Sequence, residues 1–268
     1  MLLGVRDDCV TGIDELAKKM ALLKEIGSDF VELVVNPTML ESMTGSENEN
    51  GYFPKKALRE LNQAVAKTGL PILSVSYSNM GEYASKTEDE RKAARRELRQ
   101  CIELASSLGA ETILIATCET QAEFTTAAKL YKTELQQELD FALDRNVRLC
   151  FEPVWRTKNV HVTMLVQAIN HPAAYIYYDM GNCLYFGEDP IEALHDCIDY
   201  VGAVHIKPKP GGGVDFDEMP LTGILNILKN SEFDGVGVLE IEGIDDNKNL
   251  AEALELLDNL GYRGCMCC

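Results

Sequence analysis

The sequence is short of several things. It has no run of eighteen apolar residues, so no stretch reads as a membrane-spanning helix. It is short of positive charge: 25 Lys and Arg stand against 43 Asp and Glu, for a net charge of −18. A field of that sign repels a phosphodiester backbone, so no nucleic-acid partner is expected. A small anionic substrate stays open, because a local basic cluster outweighs the global field at short range. Its nine cysteines are scattered, and no early pair has zinc-ribbon spacing. Reduced thiols are the default reading, with Cys265, Cys267 and Cys268 as incidental thiols on a frayed tail. The opening MLLGVRDD turns charged after five residues with no basic region ahead of it. It does not read as a signal peptide, and a cytoplasmic location is expected. The turn after the first apolar run, VRDDCVTG, lacks the glycine pattern of a dinucleotide-binding sheet.

What is present is a strict alternation. Short apolar runs, read as strands, fall at residues 2–5, 29–35, 71–77, 112–116, 147–152, 175–179, 201–207 and 236–241. Helical spacing separates them. One helix is read from a Thr11 cap to Gly27, and others over 54–68, 86–108, 126–144, 161–170, 188–200, 221–229 and 249–260. No Pro/Ser-rich linker interrupts the series. Eight β–α repeats in 268 residues predict an α/β fold with a single (β/α)8 TIM barrel over 1–268, carrying a Cys-rich tail from about 264. Two polar, Gly-containing segments, 36–53 and 209–220, are long enough to read as lids on the catalytic face.

Four of these strands share a feature. Near its C-terminal end, each carries one metal-capable residue: Glu152, Asp179, His205 and Glu240. A strand alternates sides every residue. Phe151, Tyr178, Val204, Ile206, Leu239 and Ile241 have the opposite parity and face the helices. The four polar side chains then face the interior at one level. Three carboxylates there are costly without a cation. An O,O,O,N donor set suits one divalent metal ion: Mn²⁺, Co²⁺, Mg²⁺ or Zn²⁺. Glu242 shares the parity of Glu240 and is a rival ligand, one step further out. Glu32 is also inward by parity, either as a buried structural ion pair or in contact with substrate.

These residues sit in the segments GSDFVEL, FEPVWR, YYDMGN, GEDPIEALHDCIDYVGAVHIK and FDGVGVLEIE. In them the chain resembles the xylose-isomerase-like TIM-barrel superfamily, which includes sugar and sugar-phosphate isomerases and epimerases. The resemblance covers nearly the whole chain. It implies that Glu152, Asp179, His205 and Glu240 bind one divalent ion, and that Glu152 and Glu240 handle protons on opposite faces of a substrate. Arg156 matches an arginine often found four residues after the first ligand. Asn182 stands where the superfamily often has His, and Lys158 where the ketose 3-epimerase branch has Glu. The apurinic-endonuclease branch needs a histidine-rich trinuclear zinc site, and this chain has four histidines in all.

The implied chemistry is metal-assisted enolisation of a small-molecule sugar or sugar phosphate, with two carboxylates as acid and base. Return of the proton to the same carbon gives epimerisation, and relay to the next gives isomerisation. An inosose-type dehydratase of the same superfamily is the alternative, as is a metal- and sugar-binding protein without turnover. Arg156, Lys158, Lys207 and Lys209 are placed near the mouth, as counter-charge to an acidic rim or as a site for a phosphate or carboxylate. Trp155 either stacks on the sugar or caps the barrel. Ser76, Tyr77 and Asn79 are candidate hydroxyl contacts. No membrane partner is expected, and a homo-oligomer is compatible with all of this.

Overall fold

β-Branched and aromatic residues fill eight short strands, and each turns into a helix at the polar residues that follow it. The computed structural model describes residues 1–35, 55–120, 123–155, 157–208, 215–241 and 247–263. The strands are β1 (Leu3–Arg6), β2 (Phe30–Val35), β3 (Ile72–Tyr77), β4 (Thr112–Thr117), β5 (Arg148–Pro153), β6 (Ala174–Asp179), β7 (Val201–Ile206) and β8 (Val236–Leu239). Each pairs parallel with the next, and β8 pairs with β1, so the sheet is a closed barrel. Among the described residues the helices are α1 (Leu16–Glu25), α2 (Lys55–Thr68), α3 (Glu88–Leu108), α4 (Phe124–Glu134), α5 (Gln136–Leu143), α6 (Asn159–Ile169), α7 (Met180–Tyr185), α8 (Pro190–Cys197), α9 (Leu221–Asn230) and α10 (Lys248–Asn259). They surround the barrel as a (β/α)8 fold requires. No described helix is long and apolar enough to cross a membrane.

The core divides as strand parity predicts. Phe151, Tyr178, Val204, Ile206, Leu239 and Ile241 belong to the large layer between sheet and helices. A second, small cluster fills the barrel interior and includes Phe30, Cys150, Tyr177, Ala203 and Val238. Each of these five lies two residues before a polar one: Glu32, Glu152, Asp179, His205 and Glu240. An apolar floor thus supports a polar layer at the C-terminal end. Gly4 on β1 makes the floor possible. A Cβ at Gly4 would lie 2.4 Å from atoms of the Phe30 ring, so only glycine leaves that ring its place.

Three expectations change. The first helix starts at Leu16 rather than after Thr11, behind a 3₁₀ turn at Asp7–Cys9. Thr11 is instead tied to the start of α10: its N–H donates to Asn247 Oδ1 at 3.1 Å, and its carbonyl accepts from Asn247 Nδ2 at 3.2 Å. The single helix read over 126–144 is two, because apolar periodicity runs across a break at buried Leu135. The stretch between the strand at 175–179 and the helix expected over 188–200, given no element from the sequence, begins with α7. Segments 36–53 and 209–214, Arg156, Lys209, Glu242 and the three tail cysteines lie outside the described residues. The six described cysteines are free thiols.

Candidate metal centre

Four strand ends deliver the site. Glu152 comes from β5, Asp179 ends β6, His205 lies on β7, and Glu240 follows β8 directly. Asp179 and His205 are direct register partners. One ligand atom from each of the four lies within 4.8 Å of all the others, and all four residues are buried. His205 Nδ1 is 2.8 Å from Glu152 Oε1 and 2.8 Å from Glu240 Oε2, with Asp179 Oδ2 at 3.7 Å. The other ring nitrogen points away from this group. Nε2 is 2.9 Å from Glu32 Oε1. Glu32 Oε2 in turn accepts from Ser74 Oγ at 2.6 Å and from Tyr177 Oη at 2.7 Å. Glu32 is therefore the partner that fixes the His205 ring, rather than a substrate contact. The contact of Nε2 with Glu32 turns Nδ1 toward the three carboxylates, where it can bind an ion once its own proton is released.

Asp179 serves two purposes. Its Oδ1 accepts the Asn182 N–H at 2.8 Å and caps α7. Its Oδ2 is buried and accepts no hydrogen bond, although Lys207 Nζ stands 3.2 Å away. That orphaned oxygen faces the same point as His205 Nδ1. Two cations border the group. Lys207 Nζ is also 3.4 Å from Glu240 Oε2, and Arg6 donates from Nη1 to Glu240 Oε1. Gly181 lets Lys207 approach: a Cβ there would meet Lys207 Cγ at 2.6 Å and the Pro208 carbonyl at 2.5 Å.

The buried acids do not share one environment. Burial pushes Glu152 up to about 7, with Glu240 and Asp179 adding repulsion and His205 only partly offsetting it. Burial also acts against ionised Glu240, but the charge and hydrogen bond of His205, with Arg6 and Lys207, hold it well below the usual carboxylate range. Asp179 suffers the same burial and is lowered by Lys207 and His205. For His205, burial favours the neutral ring, and the surrounding Glu240, Tyr177, Glu32 and Glu152 overcome it and push the value well up.

These donors fit a divalent cation. They are three carboxylates and one imidazole nitrogen, converging on one point and including an oxygen with no hydrogen-bond donor of its own. The buried cluster can hold a metal ion. Next to it opens a cavity of about 310 Å³, lined among others by Arg6, Ser76, Glu152, Trp155, Asn182, Lys207 and Glu240.

The sequence-predicted contacts are distributed as follows. Lys207 and Asn182 line the cavity and are buried, with Asn182 Nδ2 donating to the Pro153 carbonyl at 2.9 Å. Trp155 lines it and is exposed. Lys158 is exposed at the start of α6, outside the lining. Ser76 lines the cavity, whereas Tyr77 and Asn79 turn outward and both bond Glu97 on α3. Arg6, Tyr185 and Phe186 line the cavity too and were not picked out from the sequence. Arg6 had a signal: it ends β1 with the inward parity of Gly4. The aromatic pair had none, because no element was read over α7.

The fold is thus a closed parallel barrel with a buried cluster that could hold a metal ion, beside an open cavity at the C-terminal strand ends. More narrowly, the chain belongs to the xylose isomerase-like TIM barrel family, whose model matches residues 20–260. The chain is 27% identical over 273 residues to L-ribulose-5-phosphate 3-epimerase UlaE of Salmonella heidelberg (strain SL476), covering 98% of this chain and 84% of that protein. Among solved structures it is similar to apo 3-keto-D-glucoside 4-epimerase YcjR from E. coli, with a TM-score of 0.77, 17% identity, and 97% and 99% of the two chains covered. It is also similar to the IOLI protein with a bound zinc atom, with a TM-score of 0.71, 15% identity, and 97% and 96% covered.

Proposed function

We propose that this protein is a divalent-metal-dependent epimerase or isomerase of a sugar or sugar phosphate, using Glu152 and Glu240 as its two proton carriers. The observation that carries the reading is the buried cluster of Glu152, Asp179, His205 and Glu240 at four strand ends, facing a cavity of sugar size. The epimerase activities of UlaE and YcjR, and the zinc of IOLI, support it.

When bound, a divalent ion supplies Lewis acidity beside a carbonyl, which makes the neighbouring C–H acidic enough for a carboxylate to deprotonate. Glu152, Asp179, Glu240 and His205 Nδ1 would hold it. Glu32 keeps the His205 ring turned toward it. Either Glu152 or Glu240 can take the proton next to the carbonyl, and the other returns one to the opposite face. In the reverse direction the roles exchange. Strands β5 and β8 are three steps apart around the ring, so the two carboxylates approach a central substrate from different sides. Return of the proton from the second side inverts the carbon. Arg6 beside Glu240, and Lys207 beside Asp179 and Glu240, are counter-charges that favour the ionised carboxylates.

The test is a panel of ketoses, ketose phosphates and inososes in D₂O with added Mn²⁺, followed by NMR. Deuterium entering next to the carbonyl, with inversion or relay, is the expected result. Net loss of water would assign a dehydratase instead. Saturable binding with neither exchange nor turnover would replace the enzyme by a binding protein.

A further inference from the structure

Strand β3 turns every second side chain into the barrel: Ser74, Ser76 and, just past its end, Ser78. The three serines meet different surroundings. Ser74 Oγ donates to Glu32 at 2.6 Å and so belongs to the support of His205. Ser78 is exposed at the mouth. Ser76 is only 4% exposed and lines the cavity, yet its hydroxyl has no hydrogen-bond partner among the described residues. Its register partners on either side are apolar, Val34 on β2 and Leu114 on β4. Leu114 and Ala116 line the cavity next to it and offer no side-chain hydrogen bond. The buried polar groups further round are committed: Asn182 to the Pro153 carbonyl, Glu152 to His205, and Lys207 to Glu240. A nearly buried hydroxyl in an apolar sector is costly unless something in the cavity meets it.

Its position says what that is. In the ring of eight, β3 lies four steps from β7 and so stands opposite His205. A substrate with its carbonyl end at the buried cluster and its carbon chain across the mouth brings its far carbons to β3. We infer that Ser76 is a specificity-determining residue: it bonds one hydroxyl of the substrate beyond the reacting carbon, while the C–H edge of the same stretch lies on Leu114 and Ala116. This rests on the sugar-enzyme reading above and narrows it. The substrate is a sugar that keeps its hydroxyl at that carbon, and the form deoxygenated there is rejected. A site built to bond a hydroxyl discriminates against the analogue lacking it, because its own polar group is then left unpaired.

The experiment measures kcat/KM of wild type and Ser76→Ala with Mn²⁺ present. The probes are the sugar of the panel that the wild type turns over and its monodeoxy forms, each lacking one hydroxyl beyond the reacting carbon. For one of these forms the wild type should prefer the parent sugar about 5–50-fold. Ser76→Ala should erase that preference and leave the ratios for the other forms unchanged. Its Tm should stay within about 1 °C of wild type, because the lost hydroxyl bonds no described residue. If the panel gives binding without turnover, the same ratios are read as Kd by calorimetry. A wild type indifferent to every deoxy form overturns the inference without any variant. So does a preference that survives Ser76→Ala for every form, or a uniform loss on all sugars with a lowered Tm, as for a structural hydroxyl. In these three cases the sugar reading stands. A wild type that neither turns over nor binds any sugar of the panel overturns the sugar reading and this inference with it.

Discussion

At the scale of single residues, the site is a balance of charges held out of water. Glu32, Glu152, Asp179 and Glu240 surround one imidazole, and Arg6 and Lys207 stand at the rim. Chemically similar side chains in it hold their protons differently because their neighbours differ. Glu240 touches His205, Arg6 and Lys207, whereas Glu152 is buried against two other acids with His205 as its counter-charge. Glutamine at either position keeps the shape and a carbonyl ligand but cannot carry a proton. Glu240→Gln should retain most metal binding, measured by calorimetry, and lose roughly two to four orders of magnitude in kcat. Glu152→Gln should do the same. Mild, equal losses from both would remove the two-carboxylate mechanism. Should Glu240→Gln alone be mild, Glu242→Gln becomes the substitution to measure, since Glu242 shares its parity.

At the scale of elements, five of the strands (β2, β5, β6, β7 and β8) carry their message in pairs two residues apart. The lower member is apolar and fills the barrel, and the upper one is polar and reaches the mouth. The pairs tolerate change unequally. Phe30 crosses the interior into space that exists only because residue 4 has no side chain. Gly4→Ala should therefore cost about 1–3 kcal/mol by overpacking, read as a drop in the denaturation midpoint. Adding Phe30→Leu should recover part of it, because the shorter side chain vacates the contact. No recovery in the double variant would mean that the cost lies in the β1 backbone instead. Helix α7 teaches a related point. It is a short helix that starts from a carboxylate of the buried cluster, so Asp179 is both cap and ligand candidate. Sequence spacing alone left that stretch without an element, since six residues are too few for a periodic pattern.

At the scale of the whole molecule, the fold keeps a cluster of acids whose protonation opposes metal binding. Glu152 is raised above its ordinary 4.5 to about 7, and His205 is raised above 6.5. For both, the folded metal-free protein holds the proton better than the unfolded chain does. Their contribution to stability is therefore complete below the unfolded values and is lost as pH rises through the folded ones. Asp179 and Glu240 are lowered, so theirs is present above 3.8 and 4.5 and is lost as pH falls through the folded values. On these four groups the metal-free protein should be most stable near pH 4.5 and should lose the contribution of Glu152 as pH rises from there to about 7. A divalent ion needs Glu152 ionised and His205 Nδ1 free of its proton, so its binding releases protons. The rise in Tm on adding Mn²⁺ should grow steadily from pH 5 to pH 8, and calorimetry near pH 7 should show buffer-dependent heats. A metal-induced rise that shrinks over that range would contradict the assignment of these groups as ligands.

Much of this was written in the chain, because strand alternation is a local property. The period of two placed Glu152, Asp179, His205 and Glu240 on the inner side, and eight strictly alternating β and α segments leave few arrangements besides a closed barrel. Their convergence within a few ångströms depends on closure of the ring, which no local pattern contains. The same holds for Glu32, whose choice between a structural pair and a substrate contact was decided by His205, 173 residues away. Tyr77 and Asn79 looked available to substrate until α3 placed Glu97 beside them. Thr11 had the chemistry of a helix cap, but Asn247 took its backbone bonds. Local preference determined which residues face inward, and only contacts distant in sequence decided what each of them meets there.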